Sequence, residues 1–400
     1  MKIAVPKERR PYETRVAASP ETVKKLTQLG AEVSVETGAG AASAMTDQAY
    51  ADAGATIARS SAELYGGATV ILKVQRPLAE ELTQVAPGTL LVAILDPYRQ
   101  GRDMQLLAEA GIVAFAMDLM PRITRAQSMD VLSSQANLAG YKAVLDAAGV
   151  FGGAFPMMTT AAGTVKPAQV LVMGAGVAGL QAIATARRLG GVVHATDVRP
   201  AAKEQVASLG GKFVAVEDEE FKQAETATGY AKEMSKEYQA KQAALIAETI
   251  KKMDVVITTA AIPGRPAPRL VSDAMLQTMK PGAVVVDLAV DTGGNVEGIV
   301  AGEVVDRHGV KLVGYRNVAS RLPAVASQLY ARNLLTFLQL SVDKESKGLK
   351  VNWDDEIIKG TLITRDGGVV HPALKKAEPV MAPVAAPVAP PPVSPSGDRA

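Results

Sequence analysis

The sequence predicts an α/β protein with two doubly wound, parallel-sheet domains and a cleft between them. Apolar strands alternate with helical stretches along most of the chain, which is the pattern of βαβ units in a parallel sheet. Hydrophobic residues make up 48% of the sequence and aromatic residues only 4%, as expected for buried strands covered by helices. The length of 400 residues exceeds the roughly 250–300 residues at which a single core stops growing, so two domains are expected.

The first predicted domain comprises residues 1–132 together with about 325–375. Its strands are expected at five apolar runs, Ile3–Val5, Glu32–Glu36, Thr69–Val74, Leu90–Leu95 and Val113–Met117. The helices between them are predicted around Pro20–Leu29, Thr46–Ala53 and Asp103–Ala110. A helical run at Ala324–Leu340 is expected to carry the chain back to this domain.

The second predicted domain comprises residues 133–324 and begins with a long helix at Ser133–Ala148. Its strands are expected at Val170–Met173, Val192–Thr196, Phe213–Val216, Val255–Thr259, Val284–Leu288 and Lys311–Gly314. The polar segment Glu217–Ala240 interrupts this regularity, and loops of that length are usually functional or mobile. Residues 376–400 are rich in proline and alanine and are predicted to form a disordered tail.

A glycine fingerprint lies in the middle of the chain, Gly174-Ala175-Gly176-Val177-Ala178-Gly179. It follows an apolar run and opens a helical stretch, which is the context that a G-x-G-x-x-G motif requires. Gly174 permits the turn, Gly176 lets a pyrophosphate approach the backbone, and Gly179 allows close packing of helix on strand. The pyrophosphate is expected at the positive end of the helix dipole. The motif predicts Rossmann-like domains, with the dinucleotide bound by the second.

A candidate ribose acceptor follows the next predicted strand. Asp197 lies eighteen residues after Gly179, close to the roughly 20 residues at which an acidic side chain meets the adenosine ribose. A carboxylate there accepts hydrogen bonds from the ribose diol and repels a 2′-phosphate, so the sequence favours NAD(H) over NADP(H). Arg199, two residues further on, is an alternative clamp for a 2′-phosphate.

Composition argues against several other classes. The chain has no cysteine and three histidines, none spaced as a metal-ligand pair, so disulfides, thiolate catalysis and a bound metal are not expected. A net charge of +2 with interspersed charges gives no basic stripe for nucleic acid. No apolar stretch reaches the roughly 18–20 residues that span a bilayer. The sequence therefore predicts a cytoplasmic protein with no direct membrane insertion.

Several further motifs are long and chemically unusual. They are Val5–Glu8, Val74–Pro77, Pro121–Asp130, Ser133–Tyr141, Gly229–Met234 and Thr361–His371. Together with the glycine fingerprint, they resemble the NAD(H)-binding alpha subunit, or domain I, of the proton-translocating nicotinamide nucleotide transhydrogenases. The resemblance covers residues 1 to about 372 and fits the short alpha subunit of the three-polypeptide type.

The resemblance implies a reaction and a set of partners. The expected reaction is direct hydride transfer from NADH on this chain to NADP+ on a beta subunit, coupled to proton translocation by a separate membrane-spanning subunit. The chain is expected to form a homodimer and to lie on the cytoplasmic face of the inner membrane through these partners. Hydride transfer between two nicotinamides needs no proton at a substrate oxygen, so the protein supplies position and electrostatics.

The resemblance also assigns catalytic residues. Arg122, Gln127 and Asp130, together with the cofactor-binding Ser133, are expected to surround the nicotinamide and its ribose. Arg122 offers a planar donor fork, and Asp130 can accept a hydrogen bond from the carboxamide. Gln127 suits a bridge toward the nucleotide of the partner.

Other cofactor contacts are expected outside this segment. By the same resemblance, Tyr230 in the polar segment Glu217–Ala240 is expected to close over the bound nucleotide. Thr259, Ala260 and Ala261 end a predicted strand at the same cleft and are expected to contact the dinucleotide through backbone groups.

Two alternatives stay open. Alanine dehydrogenase shares this architecture, and Arg15, Lys73 and Asp291 lie where that family places its substrate-binding arginine, catalytic lysine and nucleotide-site aspartate. Its catalytic histidine has no counterpart, because Leu91–Asp96 contains no imidazole to manage the substrate proton. A non-catalytic protein that binds NAD(H) as a redox sensor is the second alternative, since its nucleotide-binding residues would be the same as those of a transhydrogenase subunit.

Overall fold

The computed structural model describes residues 1–222, 234–262, 264–343 and 345–375. Within these ranges the strands, in chain order, are β1 (Lys2–Val5), β2 (Glu32–Glu36), β3 (Thr56–Ala58), β4 (Val70–Gln75), β5 (Leu90–Ile94), β6 (Val113–Ala116), β7 (Met158–Thr160), β8 (Gly163–Val165), β9 (Gln169–Met173), β10 (Val192–Thr196), β11 (Lys212–Phe213), β12 (Val255–Thr258), β13 (Val284–Asp287), β14 (Val304–Arg307), β15 (Val310–Val313), β16 (Leu362–Arg365) and β17 (Gly368–Val369).

The α-helices of the same ranges lie between these strands, except for α14, which follows the last strand. They are α1 (Pro20–Gln28), α2 (Asp47–Asp52), α3 (Ser61–Tyr65), α4 (Ala79–Leu82), α5 (Gly101–Glu109), α6 (Val131–Val150), α7 (Val177–Arg188), α8 (Ala202–Ser208), α9 (Glu219–Lys222), α10 (Lys236–Ile250), α11 (Asp273–Thr278), α12 (Pro323–Leu338), α13 (Glu356–Thr361) and α14 (Pro372–Lys375). None of the helices in the described ranges combines the length and the hydropathy that crossing a bilayer requires.

Two large sheets organise these elements. The first has the strand order β17-β16-β6-β5-β4-β1-β2-β3, and the second has the order β11-β10-β9-β12-β13-β15-β14. Strands β1 to β6 are parallel, and so are the strands of the second sheet apart from β14. Both sheets therefore contain the strand order 3-2-1-4-5-6 of a doubly wound Rossmann fold. The predicted fold class is confirmed.

Helices cover both faces of each sheet because the central strands are apolar on both sides. Strands β9, β12 and β13 are almost wholly buried. Helices α1 and α12 pack on one face of the first sheet and α5 on the other. In the second sheet, α6 and α7 cover one face, and α10 and α11 cover the other.

The end of the described chain returns to the first sheet. Helix α12 packs Phe337 against Phe115 of β6, with ring centroids 5.5 Å apart. Strand β16 then pairs antiparallel with β6, and β17 pairs with β16. Helix α12 and strands β16 and β17 thus lie with the first sheet, and the two added strands were not predicted.

The segment Glu217–Ala240 departs from the predicted loop. Helix α9 begins at Glu219, two residues after the segment starts, and α10 begins at Lys236 and continues past its end. The described parts of the segment are therefore largely helical. Helix α10 buries only Tyr238, Ile246 and Ile250, which explains why its apolar pattern is weak in the sequence. Residues 223–233, with Tyr230, and the tail at 376–400 lie outside the described residues.

Candidate functional site

Loops at the carboxyl edges of the two sheets contact each other. Arg99, after β5, donates from Nη1 to the carbonyl oxygen of Asp291, after β13, over 3.2 Å. Asn317, after β15, donates from Nδ2 to the carbonyl oxygen of Tyr12 over 3.0 Å and to Glu13 Oε2 over 2.9 Å. In open α/β sheets, ligands bind at this edge where the strand order reverses. These points lie between β1 and β4 and between β9 and β12.

The glycine fingerprint connects β9 to α7 at the reversal point of the second sheet. Gly174 has a φ of +105°, a left-handed conformation that favours glycine. A Cβ at Gly179 would lie 1.8 Å from the carbonyl oxygen of Gly174, so only glycine allows this close approach. The Thr259 hydroxyl donates to the same carbonyl oxygen over 3.0 Å, which links the loop after β12 to the fingerprint.

The N-terminus of α7 fits a pyrophosphate. Its N-cap, Gly176, is exposed and provides no side-chain cap. A Cβ built on Gly176 would meet no heavy atom of the described chain within 4 Å. The first-turn N–H groups of this 12-residue helix are therefore available to an anion, at the positive end of the helix dipole.

Asp197 lies directly after β10, and its carboxylate is engaged within the protein. Oδ2 accepts a hydrogen bond from the Ala175 N–H over 2.7 Å. Arg199 donates to Oδ1 from Nε over 2.9 Å and to Oδ2 from Nη2 over 3.0 Å. The predicted ribose acceptor is thus paired with the predicted phosphate clamp. A ribose diol must displace the guanidinium to reach both carboxylate oxygens.

A buried asparagine holds the loop after β12. Asn295 is 0% exposed; it accepts from the Ala260 N–H over 3.1 Å and donates to the Ala260 and Pro268 carbonyl oxygens, each over 2.8 Å. Asp287, also 0% exposed, accepts from the Asn295 N–H over 2.7 Å. Both backbone polar groups of Ala260 are therefore bound to Asn295, whereas the next residue, Ala261, is exposed.

The predicted nicotinamide segment precedes α6. Asp130 caps this helix, because its carboxylate accepts hydrogen bonds from the Ser133 N–H over 2.9 Å and from the Ser133 hydroxyl. A Cβ at Gly140, further along α6, would lie 2.0 Å from the carbonyl oxygen of Ala178 in α7. Helix α6 therefore crosses the start of α7 at its closest approach. About 10 Å of helix separates this crossing from Ser133.

Two residues from the C-terminal part of the chain contact this segment and fix its position. Arg125 forms a bidentate ion pair with Asp355, at 2.9 and 3.0 Å. Asn333 donates from Nδ2 to the carbonyl oxygen of Ser128 over 2.7 Å. Gln127 lies between these two anchored positions with its own side chain exposed, and Arg122 is exposed earlier in the same segment.

A buried ion cluster lies at the reversal point of the first sheet. Arg15 forms a bidentate pair with Glu13, at 2.7 and 2.6 Å. Lys73, in β4, lies 2.9 Å from a carboxylate oxygen of Glu81 and 3.5 Å from one of Glu8. All five side chains are at most 6% exposed. Three buried carboxylates therefore face two buried cations, and the more exposed Arg9 approaches Glu81 at 4.0 Å.

Burial changes the acid–base properties of the cluster. Burial raises the pKa of Glu8 to about 7, although the charge of Lys73 opposes the shift. Burial also acts to raise the pKa of Glu13, but the charge and hydrogen bonds of Arg15 outweigh it and lower that pKa to about 2. Glu8 therefore takes up a proton near neutral pH.

Replacing Glu8 with glutamine should make folding stability less dependent on pH between 5 and 8. Because the carboxyl pKa is higher in the folded chain than in the unfolded chain, the protonated Glu8 stabilises the fold. This stabilisation is complete below the unfolded pKa of 4.5 and is lost as the pH rises through about 7. The E8Q variant should therefore gain about 2–3 kcal/mol relative to the parent from pH 5 to pH 8. Urea denaturation at several pH values measures this difference.

A surface glutamate provides the control for this experiment. Hydrogen bonds from Lys25 and Arg332 lower the pKa of Glu21 to about 2, so its titration lies below the tested range. E21Q should leave the slope between pH 5 and pH 8 unchanged. Parallel pH profiles for E8Q and the parent chain would contradict a raised pKa for Glu8.

The structure joins only some of the predicted site residues directly. Hydrogen bonds connect the fingerprint Gly174–Gly179 with Asp197 and Thr259. The other predicted residues, Arg122, Gln127, Asp130 and Ser133, lie before α6 or in its first turn. Sequence reasoning missed Gly140 and Asn295. A glycine inside a helical pattern signals close packing, so Gly140 was detectable, but no local signal marks Asn295 as buried.

Comparisons with known proteins agree with this architecture. Residues 4–139 match the family model for the alanine dehydrogenase/PNT N-terminal domain, and residues 143–372 match the model for the alanine dehydrogenase/PNT C-terminal domain. The chain is 56% identical over 379 residues to the first of the polypeptides named NAD(P) transhydrogenase subunit alpha in Rhodospirillum rubrum, covering 94% of this chain and 99% of that protein.

Solved structures give the same result. A crystal structure of transhydrogenase from Sinorhizobium meliloti matches with a TM-score of 0.85 and 57% identity, over 92% of this chain and 100% of that one. An L-alanine dehydrogenase structure matches with a TM-score of 0.78 and 26% identity, over 94% and 98% of the two chains. The resemblance identified from the sequence motifs is confirmed. The chain therefore belongs to the alanine dehydrogenase/PNT family, in the branch of the NAD(P) transhydrogenase alpha subunits.

Proposed function

We propose that this chain is the NAD(H)-binding catalytic subunit of a proton-translocating nicotinamide nucleotide transhydrogenase. The proposed reaction is direct hydride transfer from NADH on this chain to NADP+ on a beta subunit. A separate membrane-spanning subunit couples this transfer to proton translocation. The observation that carries the proposal is a contrast within the cleft. Gln127 is exposed on the segment before α6, where a partner can reach it, whereas Arg15 and Lys73, the cations that an amino-acid substrate would need, are buried and paired with carboxylates.

Each region of the site has a role in this reaction. The fingerprint and the first turn of α7 hold the pyrophosphate through backbone N–H groups. Asp130 and Ser133 orient the nicotinamide, and Arg122 supplies a donor fork. Gln127, fixed between the anchors at Arg125 and Ser128, contacts the nucleotide of the partner. These roles are positioning roles, as direct transfer between two cofactors requires.

The assembly belongs to the same proposal. We propose that NADP(H) binds to the beta subunit and that the complex holds this chain on the cytoplasmic face of the inner membrane. A homodimer is supported by the β7–β8 hairpin, where all six strand residues are exposed. Met157, Met158 and Val165 at this hairpin are 66%, 42% and 36% exposed. Sedimentation velocity of the purified chain tests the dimer.

An amino-acid dehydrogenase is the first rival. Arg15 is the residue that would bind a substrate carboxylate, but Glu13 already gives both of its oxygens to that guanidinium. Lys73 is likewise paired with Glu81. A substrate would have to displace buried carboxylates, and a buried charge left unpaired costs several kcal/mol. The non-catalytic NAD(H) sensor is the second rival, and it has no use for an exposed Gln127.

Partner-dependent transfer is the test of the proposed function. Fluorescence titration should show tighter binding of NADH than of NADPH to the purified chain. An NADP-binding transhydrogenase domain carrying NADPH is then added with oxidised acetylpyridine adenine dinucleotide, whose reduction is followed by absorbance as the reverse reaction. Reduction that requires both proteins supports the proposal. Binding without transfer would indicate the sensor, and NADH oxidation by pyruvate plus ammonia without a partner would indicate the dehydrogenase.

A variant of Gln127 separates transfer from binding in this assay. Q127A should slow transfer by about tenfold or more, because small errors in the alignment of reacting groups have large kinetic costs. Its NADH affinity should stay close to that of the parent chain. Gln48, exposed on α2 and hydrogen-bonded to Asp52, is the matched control, and Q48A should change neither quantity. If Q127A lost hydride-transfer rate and NADH affinity by the same factor, Gln127 would act in nucleotide binding and not in transfer.

The pair Asp197–Arg199 should set nucleotide selectivity. D197N replaces one carboxylate oxygen with an amide nitrogen and removes the negative charge that repels a 2′-phosphate, so the NADH affinity should fall by about tenfold and the preference over NADPH should shrink. R199Q removes the competing guanidinium and should strengthen that preference. Fluorescence titration of both variants with both nucleotides measures the effect. Unchanged selectivity in D197N would remove Asp197 from this role.

A further inference from the structure

A cavity outside the nucleotide site lies beside the loops that follow β1, β4 and β5. Its volume is about 330 Å³, within the range of roughly 300–1,000 Å³ that is typical of small-molecule sites. One side carries the charged groups of Arg10, Arg76 and Asp103, and the other is lined mainly by leucines, among them Leu82, Leu106 and Leu107. None of these residues belongs to the proposed transhydrogenase site.

Hydrogen bonds fix the charged side of this cavity. Arg10 donates from Nε to the carbonyl oxygen of Arg76 over 2.7 Å and from Nη2 to that of Pro77 over 3.0 Å. Arg76 donates from Nε to Asp103 Oδ2 over 2.6 Å, and Arg10 Nη2 lies 3.5 Å from the same oxygen. Both guanidinium groups are therefore oriented before any ligand binds, which lowers the entropic cost of binding.

The charge of this side is not balanced. Two guanidinium groups face one carboxylate, and they are only 22% and 17% exposed. Within the described part of the chain, Nη1 of Arg10 and both terminal nitrogens of Arg76 have no hydrogen-bond acceptor. Burial and the charge of Arg76 lower the pKa of Arg10, which is the expected direction where a cation lacks sufficient negative charge nearby.

We propose that this cavity binds a short aliphatic monocarboxylate, with its head group on Arg10 and Arg76 and its chain against the leucines. Two guanidinium groups and one carboxylate give the charged side of the cavity a net charge of one positive unit, which a ligand with one negative charge neutralises. A dianion would be repelled by Asp103. A planar carboxylate matches the fork of a guanidinium group. The leucine side chains beside the two guanidinium groups give a hydrocarbon chain its apolar contacts.

Calorimetric titration of the full chain with three probes tests the proposal. Hexanoate carries both halves of the ligand, inorganic phosphate carries only an anionic head, and 1-hexanol carries only the chain. Hexanoate should saturate one site per chain and bind about tenfold more tightly than either of the other probes. Absence of saturable hexanoate binding, or equally tight binding of phosphate, would overturn the assignment.

Two variants and one control locate the site. R76Q should weaken hexanoate binding by about tenfold, because it removes the charged head-group partner. L82F should weaken it as well by filling the cavity while keeping both arginines. Arg102, exposed beside Asp103 and outside the cavity lining, is the control, and R102Q should bind as the parent does. Retained NADH binding confirms that each variant is folded, and parent-like hexanoate binding by folded R76Q would refute the site.

Discussion

Replacing Gly179 with alanine should abolish measurable NADH binding and lower the free energy of unfolding by about 2–3 kcal/mol. The added methyl group would lie 1.8 Å from the carbonyl oxygen of Gly174, and a backbone atom cannot move aside as a flexible side chain can. Helix α7 must therefore shift away from β9, and its first turn must shift away from the pyrophosphate position. Urea denaturation and NADH fluorescence titration measure the two losses.

Gly176 provides a matched control three residues earlier. Its φ of −76° is accessible to alanine, and a Cβ there would meet no described atom within 4 Å. G176A should therefore stay within about 0.5 kcal/mol of the parent in stability. It should still bind NADH more weakly, because the methyl group stands where the pyrophosphate approaches the backbone. Equal destabilisation of the two variants would contradict the different roles of the two glycines.

Replacing Lys73 with methionine should cost about 3–5 kcal/mol of folding stability at pH 8. The ammonium group is 2% exposed and is the cation that faces Glu8 and Glu81. Methionine has a similar length but leaves both buried carboxylates without this partner. The loss should shrink toward pH 5, because Glu8, with a pKa already raised to about 7, is then protonated. Urea denaturation at pH 8 and pH 5 measures both effects.

Lys25 supplies the control for burial in this experiment. It forms an i,i+4 ion pair with Glu21 in α1, at 2.8 Å, but the two side chains are 50% and 44% exposed. Exposed pairs contribute roughly 0–1 kcal/mol, so K25M should change stability little at either pH. A loss in K73M no larger than that in K25M would show that the cluster is not a desolvated ion network.

The strands and helices around the fingerprint could be predicted from the sequence because their signals are local. Strand β10 occupies Val192–Thr196 as predicted, and the helix after the fingerprint ends within a residue of Leu189. Other elements could not be predicted, since they bury too little to leave a pattern. All residues of β7 and β8 are exposed, and β14 alternates only between exposed and half-buried positions.

The site shows the same division between local and distant information. Thr259 and the fingerprint were placed together because parallel strands end at one edge of a sheet. The partnership of Ala260 with Asn295 spans 35 residues, and no spacing rule connects them. Asp197 and Arg199 were identified individually as competing determinants of selectivity, but only the structure pairs them. Sequence patterns indicate which side chains matter, whereas hydrogen-bond partners depend on the fold.

The return of the chain to its first sheet has a consequence for synthesis on the ribosome. Leu362 and Thr364 of β16 pair with Phe115 and Ala114 of β6, and the Ala114–Thr364 contact spans 250 residues. Until those residues emerge, the edge of β6 lacks its neighbour, and unpaired edges invite association with other chains. In the described part of the chain, the last strand of the second sheet ends at Val313. The sheet that contains β1 to β6 is therefore completed only after the strands of the second sheet have been made.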